Sequence, residues 1–199
     1  NLIDKYFNEL YINRSERIFD TIISNLRVPS NSSDPEILNL HKLLKLKSLE
    51  LDIFRLTPKE ISSTLLSVND DYWDYPSFIE LFNKTYARKL SSEMAVVNNI
   101  KIKEAAITSN TSFFLKLIDT KYGLSGPLAN LALLKMLHDL FYSGDIPEQA
   151  ILTMINSATF LNSKNEKIKT ASNNVLKKLQ YLMPGTDAPV ICLKNTNGS

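Results

Sequence analysis

Thr57-Pro58-Lys59-Glu60, running into Ile61-Ser62-Ser63-Thr64-Leu65-Leu66, is the stretch from which the fold is read. A hydroxyl residue followed by proline suits the start of a helix. Proline lacks an N–H that a first turn would leave unbonded anyway, and its fixed φ is already helical. Glu60 stands three residues after Thr57, close enough to reach back to the Thr57 backbone N–H and complete a capping box.

The same punctuation recurs on both sides. Asp34-Pro35 sets an acid before a first-turn proline, and in Asp145-Ile146-Pro147-Glu148 the pattern makes Asp145 the cap and Glu148 its partner. Pro76 and Pro127 read as first-turn prolines, Gly123 and Gly144 as helix stops, and Pro184-Gly185 as the end of the last helix. These marks predict helices at about 2–12, 14–27, 35–55, 58–68, 76–97, 100–121 (with a break near Ser109–Thr111), 127–142, 147–161 and 165–183. Pro29 to Ser33 reads as a polar loop and 184–199 as an irregular tail, so the chain is expected to form one α-helical domain over 1–183.

Periodicity agrees with the punctuation. In 165–183, Ile168, Ala171, Val175, Leu179 and Leu182 recur at helical spacing as one apolar stripe, with Lys167, Lys169, Lys177 and Lys178 around it. In 127–142 apolar residues take most of the circumference, leaving a narrow strip of Asn130, Lys135, His138 and Asp139. That helix should be largely buried, with Leu131, Leu133, Leu134, Leu137 and Leu140 in the core. Helix 35–55 has two apolar faces, Ile37, Leu40, Leu43, Leu44, Leu51 and Phe54 on one and Leu38, Leu46, Leu49 and Ile53 on the other. A helix of that kind must lie between layers or meet a partner.

Composition narrows the class. Five glycines among 199 residues are too few for a protein of many hairpin turns, and 44% hydrophobic with 22% charged residues is the balance of a folded globular chain. The net charge of +2 falls short of the dense basic face that nucleic acid requires. One cysteine, Cys192, excludes an intrachain disulfide and fits a reducing compartment, which places the chain in cytoplasm or nucleus. Five Asn-x-Ser/Thr sequons, at Asn13, Asn31, Asn83, Asn110 and Asn197, are close to chance in a chain this rich in asparagine. No apolar run approaches the roughly 18 residues of a membrane span. The opening Asn1-Leu2-Ile3-Asp4-Lys5 has neither initiator Met nor signal peptide and reads as part of a longer protein.

Chemistry-bearing patterns are sparse. His41 has no acid three or four residues away, and His138 adjoins Asp139 at a spacing that does not bring helix side chains face to face. No metal site, cofactor site or activated nucleophile is expected, and the chain is read as a non-enzyme. Gly123-Leu124-Ser125-Gly126-Pro127 could offer backbone amides to an anion but reads as a helix stop and a turn. Lys42, Lys45 and Lys47, and the lysines of 164–178, read as solvated helix faces.

The segment Asn69-Asp70-Asp71-Tyr72-Trp73-Asp74-Tyr75-Pro76 is the most unusual in composition, with the only Trp, two Tyr and three Asp between two helices. Rigid aromatics on a loop supply interface area at low entropic cost, so Asp70, Asp71, Tyr72, Trp73 and Tyr75 are the expected partner-binding residues. The competing reading has Trp73 pinning the loop to the core while the acids cap the next helix.

The layout 111–121 with 127–142, then 147–161 with 165–183, is helix, short turn, helix, twice over. Over about 75 residues it resembles the hairpin unit of HEAT or armadillo-type repeats. That resemblance implies stacked helical hairpins in a short superhelix; the alternative architecture is an irregular helical bundle. The expected function is a protein-interaction or scaffolding module of a larger intracellular eukaryotic protein. It would bind a peptide or helix of a partner whose surface is basic, with an RNA- or DNA-binding helical repeat as the second reading.

Overall fold

The structure is a computed structural model, and it describes residues 2–26, 36–95, 100–183 and 185. These residues form an all-α protein with no strand among them. The Asp34-Pro35 cap, the Pro29–Ser33 loop, the 186–199 part of the tail with Cys192, Pro184, and the sequons at Asn31 and Asn197 lie outside the described residues. The chain falls into two compact units. Unit 1 holds Asn1–Ala87 with Ile118–Leu124, and unit 2 holds Arg88–Leu117 with Ser125–Ser199.

Unit 1 is built from α1 (Leu2–Lys5), a π-helical turn (Asn8–Ile12), α2 (Glu16–Leu26), α3 (Glu36–Phe54), α4 (Pro58–Leu66), a 3-10 turn (Asp70–Tyr72) and α5 (Pro76–Tyr86). The last turn of α8 (Thr111–Tyr122) and Leu124 complete it. The predicted start of α4 is present: the Thr57 N–H donates to Glu60 Oε2 at 2.6 Å and the Thr57 hydroxyl donates to the same oxygen at 2.7 Å. Those two bonds hold the Glu60 carboxyl below the usual carboxylate range.

Helix α3 is engaged on two sides, one apolar and one, toward α5, formed by charged and hydroxyl groups. Leu49 and Ile53 join Leu10, Phe19 and Ile22 in one buried cluster. Toward α5, Lys45 pairs with Glu80 and Lys84 with Asp52 at 2.5 Å, while Lys84 Nζ also donates to Ser48 Oγ at 3.0 Å. The hydrogen bond from Lys45 lowers the Glu80 pKa. Leu38 and Leu43 stay exposed, so neither face is buried along its whole length.

Helix α5 carries the second core of unit 1. Phe78, Phe82 and Tyr86 recur every four residues, so their rings stack up one side of the helix, with centroids 5.8 and 5.0 Å apart. Tyr122 continues the series at 6.3 Å from Tyr86. At this end sits a fully buried hydroxyl group, Ser62. It is placed to donate to the carbonyls of Pro58, at 2.8 Å, and of Tyr122, and its oxygen lies 3.0 Å from the Tyr86 hydroxyl. Serine has one proton, and both carbonyls can only accept. Tyr86 must therefore be the donor to Ser62. Burial pushes the Tyr86 hydroxyl up to about 12, against the opposing pull of its Ser62 bond, and so keeps that proton in place.

Unit 2 contains α6 (Lys89–Ala95), α7 (Ile100–Ile107), the first part of α8, α9 (Gly126–Phe141), α10 (Glu148–Ile155), α11 (Ala158–Leu161) and α12 (Glu166–Gln180). Helix α9 packs against α6, α10 and α12, and α12 also packs against α10 and α11. Leu133, Leu134, Leu137 and Leu140 are buried as expected; Leu131 is only half-buried and shares the polar strip with Asn130 and Lys135. The α12 stripe holds at Ile168 and Leu179, but Leu182 lies beyond the helix end and is exposed. Asn165 caps α12, its Oδ1 accepting from Lys167 N–H at 3.0 Å and Ile168 N–H at 3.3 Å.

Three helix assignments are corrected and one expected break is borne out. The 2–12 segment is α1 and a separate π-helical turn. The 76–97 helix ends at Tyr86, and the chain turns through Ala87 and Arg88, whose φ of +53° no helix tolerates. The break near Ser109 is real, with Ser109 at φ +54°. The 147–161 helix divides at Asn156-Ser157, and Asp145 does not cap it. Pro147 has ψ 127° and takes the N-cap position itself, so Asp145 falls too far upstream, where its N–H donates to Ser143 Oγ at 3.4 Å.

Two expectations follow. Leu133→Ala and Leu137→Ala should each cost about 2–5 kcal/mol in chemical denaturation, whereas Leu131→Ala should cost clearly less. Ser62→Ala should destabilise by about 1–3 kcal/mol, because the Tyr86 hydroxyl and the Tyr122 carbonyl lose a buried partner; a change near zero would mean that water replaces the serine.

Candidate functional site

The 69–79 stretch, all within unit 1, folds from local rules. Asn69 Oδ1 accepts from the Asp71 N–H at 3.1 Å, which starts the 3-10 turn, and Tyr75 then serves as N-cap to α5 with Pro76 at the first turn. The Trp73 ring stacks on Phe78, centroids 6.0 Å apart and planes within 10°. Its indole nitrogen is buried with no hydrogen-bond partner in the structure, while the residue as a whole is half-buried. Trp73 therefore fixes the loop to the top of the α5 ring series. Asp70, Asp71 and Asp74 are all exposed.

Tyr72 and Tyr75 lie 5.4 Å apart by ring centroid. Tyr72 is half-buried, and Tyr75 is 37% exposed. Ile79, one turn further on and 43% exposed, stands on the same face of α5, its N–H bonded to the Tyr75 carbonyl at 3.0 Å. Of the five residues singled out in the sequence, Tyr75 and the two acids are exposed, with Asp74 beside them, while Tyr72 and Trp73 are half-buried. Ile79 was missed, although its i, i+4 spacing from Tyr75 is the signal that could have found it.

A second constellation lies in unit 2. The Asp139 carboxylate accepts from Lys135 Nζ at 2.5 Å and from the Arg88 backbone N–H at 3.0 Å. His138 Nδ1 also stands 3.3 Å from Asp139 Oδ1, which corrects the expectation that these neighbours would not meet, and the His138 ring lies edge-on to Tyr142 at 5.2 Å. Burial works to raise the Asp139 pKa, but the bonds from Lys135 and Arg88 outweigh it and hold the carboxyl below its usual range. The arrangement ties the strained Arg88 turn to α9. No nucleophile is placed against His138 by any of these contacts.

Three lysines of the two clusters stand in ion pairs. Lys45 is committed to Glu80, Lys47 to Glu50 at 2.6 Å, and Lys169 to Glu166 at 2.7 Å. His41 is exposed. Among the described residues no group of three His, Cys, Asp or Glu could hold a metal ion, and no helix is long and apolar enough to cross a membrane. A cleft of about 510 Å³ between α10 and α12 is floored by Leu152, Leu176 and Met183 and edged by Gln149, Asn156 and Gln180, with no charged group in its lining.

Comparison of the chain with protein-family models, with curated proteins and with solved structures finds no match. The likeness to helical-hairpin repeats rests on helix layout alone.

A pH measurement tests the Asp139 arrangement. Its folded pKa lies below the unfolded value of about 3.9, so its contribution to stability is present above that pH and is lost as pH falls through the folded value. Asp139→Asn should therefore lower stability at neutral pH and narrow the gap from the parent protein below about pH 4. A gap that stays constant with pH would count against the carboxylate as the holding group.

Proposed function

We propose that this chain is a protein-interaction module, acting by binding rather than by catalysis, and that Tyr72, Tyr75 and Ile79 with the flanking Asp70, Asp71 and Asp74 form its contact surface. The observation that carries the reading is a ridge of exposed Tyr75 and Ile79, with the half-buried Tyr72 ring against Tyr75, beside three exposed carboxylates. Tyrosine offers a large rigid area with a polar tip, the combination that dominates measured interface energetics. Trp73 is the anchor that presents the ridge: its stack on Phe78 holds the loop against the helix that carries Ile79. The local negative charge calls for a basic partner surface, a peptide or helix whose approach would be steered electrostatically.

A nucleic-acid partner draws less support. Of the lysine helices that suggested it, Lys45 and Lys47 of α3 are paired with Glu80 and Glu50 and Lys169 of α12 with Glu166, while Lys177 and Lys178 stay exposed near the end of α12. One cysteine fits a reducing compartment, cytoplasm or nucleus, in keeping with a module of a larger intracellular protein.

Affinity capture with the intact chain, with and without nuclease, and in parallel with a Tyr72→Ala/Tyr75→Ala variant, tests the proposal. The variant should keep its helical content, change stability by about 1 kcal/mol or less, and lose about 2 kcal/mol or more of affinity for the captured partner. Undiminished capture by the variant, or capture abolished by nuclease, would overturn it.

A further inference from the structure

A different cleft, of about 380 Å³, opens in unit 1 between the start of α2 and the end of α3. Among the described residues, Glu16, Phe19, Asp20, Glu50, Phe54 and Leu56 line it. Glu16 and Asp20 stand one turn apart on α2, a like-charge i, i+4 pair that weakens an isolated helix by a few tenths of a kcal/mol. Glu50 faces the same space from α3. The floor is aromatic, with Phe19 and Phe54 edge to face at 5.1 Å. Phe19 belongs to the buried cluster of this unit, which makes the floor rigid, and Phe54 is packed against that cluster while remaining half-exposed. Glu50 is held by Lys47, whereas Glu16 and Asp20 have no ion-pair partner among the described residues.

We propose that this cleft receives a lysine or arginine side chain of a partner protein. Charge fixes the sign of the occupant: the described residues that line the space include no cation, and Glu16 and Asp20 stand there beside a Glu50 already paired with Lys47. The rings fix its kind. An ammonium or guanidinium group is attracted to an aromatic face, and its methylene stem covers apolar surface such as Phe54 and Leu56. A bare metal ion does not fit, because these carboxylates do not converge as a three-ligand set. The volume is at the small end of the range for ligand sites and suits one long side chain. None of the six residues belongs to the 70–79 ridge, so this inference stands or falls separately from the proposed function.

The test is a titration of the intact chain followed by the aromatic resonances of Phe19 and Phe54. The probes are N-acetyl-lysine methylamide and N-acetyl-arginine methylamide, with N-acetyl-norleucine methylamide and magnesium chloride as controls. Saturable shifts with at least one basic probe and none with either control are expected. The affinity should fall with added salt and drop at least tenfold in a Glu16→Gln/Asp20→Asn variant. Removing two like charges from an exposed helix face should leave the fold intact, which circular dichroism checks, and the Tyr72→Ala/Tyr75→Ala variant should titrate like the parent. No shift, an equal response to norleucine, a response to magnesium, or unchanged affinity after neutralisation would each overturn the proposal.

Discussion

Turning a helical chain with almost no glycine is the constraint on which the rest of this structure depends. Each helix end leaves carbonyls without partners, and the usual remedy is a residue in the left-handed region, where glycine is strain-free. With five glycines in the sequence, the chain also uses Arg14, Arg55, Arg88 and Ser109 there, with φ between +50° and +54°. A left-handed L-residue costs about 1–2 kcal/mol. Hydrogen bonds at the turns offset that cost. The Ala87 N–H closes on the Asn83 carbonyl at 2.8 Å, Asn110 N–H on Ala105 at the same distance, and the Arg88 N–H is held by Asp139. Side chains supply what the backbone cannot, as Glu60, Asn69 and Asn165 do at helix starts.

The buried polar groups obey the same accounting. Ser62 sits where the ring series of α5 meets Tyr122, and its single proton decides the direction of the bonds around it. The network works only if Tyr86 keeps its own proton, and the burial that raises its pKa ensures this. Along α3 and α5, Ser48 is likewise buried between Lys84 and Glu80, and the flanking charges cancel one another. Lysines and carboxylates thus meet in pairs across the two helices.

Much of the fold was legible because proline and capping acids mark helix starts by a mechanism that tertiary packing seldom overrides. Thr57 with Glu60, Pro76 and Pro127 all stand at helix starts in the structure. Helix ends were less legible for the physical reason given above. Arg88 carries no turn signal in its chemistry, so the break after Tyr86 could not be read, and Ser109 was readable only through its polar neighbours. Leu131 and Leu182 show the limit of periodicity, which locates a face but not where the neighbouring helices stop. Of the candidate site, composition pointed to the loop but could not separate the ring that anchors, Trp73, from the rings that face outward.

That separation matters because folding alone does not explain the outward ridge. Burying a tyrosine or isoleucine side chain is worth about 1.5–3 kcal/mol to a folding chain, and Trp73, a few atoms away on the same loop, does pack on Phe78. Around α5, Tyr75 and Ile79 stand beside the Phe78, Phe82 and Tyr86 series rather than away from it, yet they keep 37% and 43% exposure where those rings are buried. That remainder is apolar area which the fold leaves uncovered at this end of α5. Glu16 and Asp20 repel one another on α2, although the place of Glu16 in the first turn favours an acid there. Apolar area left exposed and like charges left side by side are where a binding role has room to act, and in unit 1 both join carboxylates to aromatic rings.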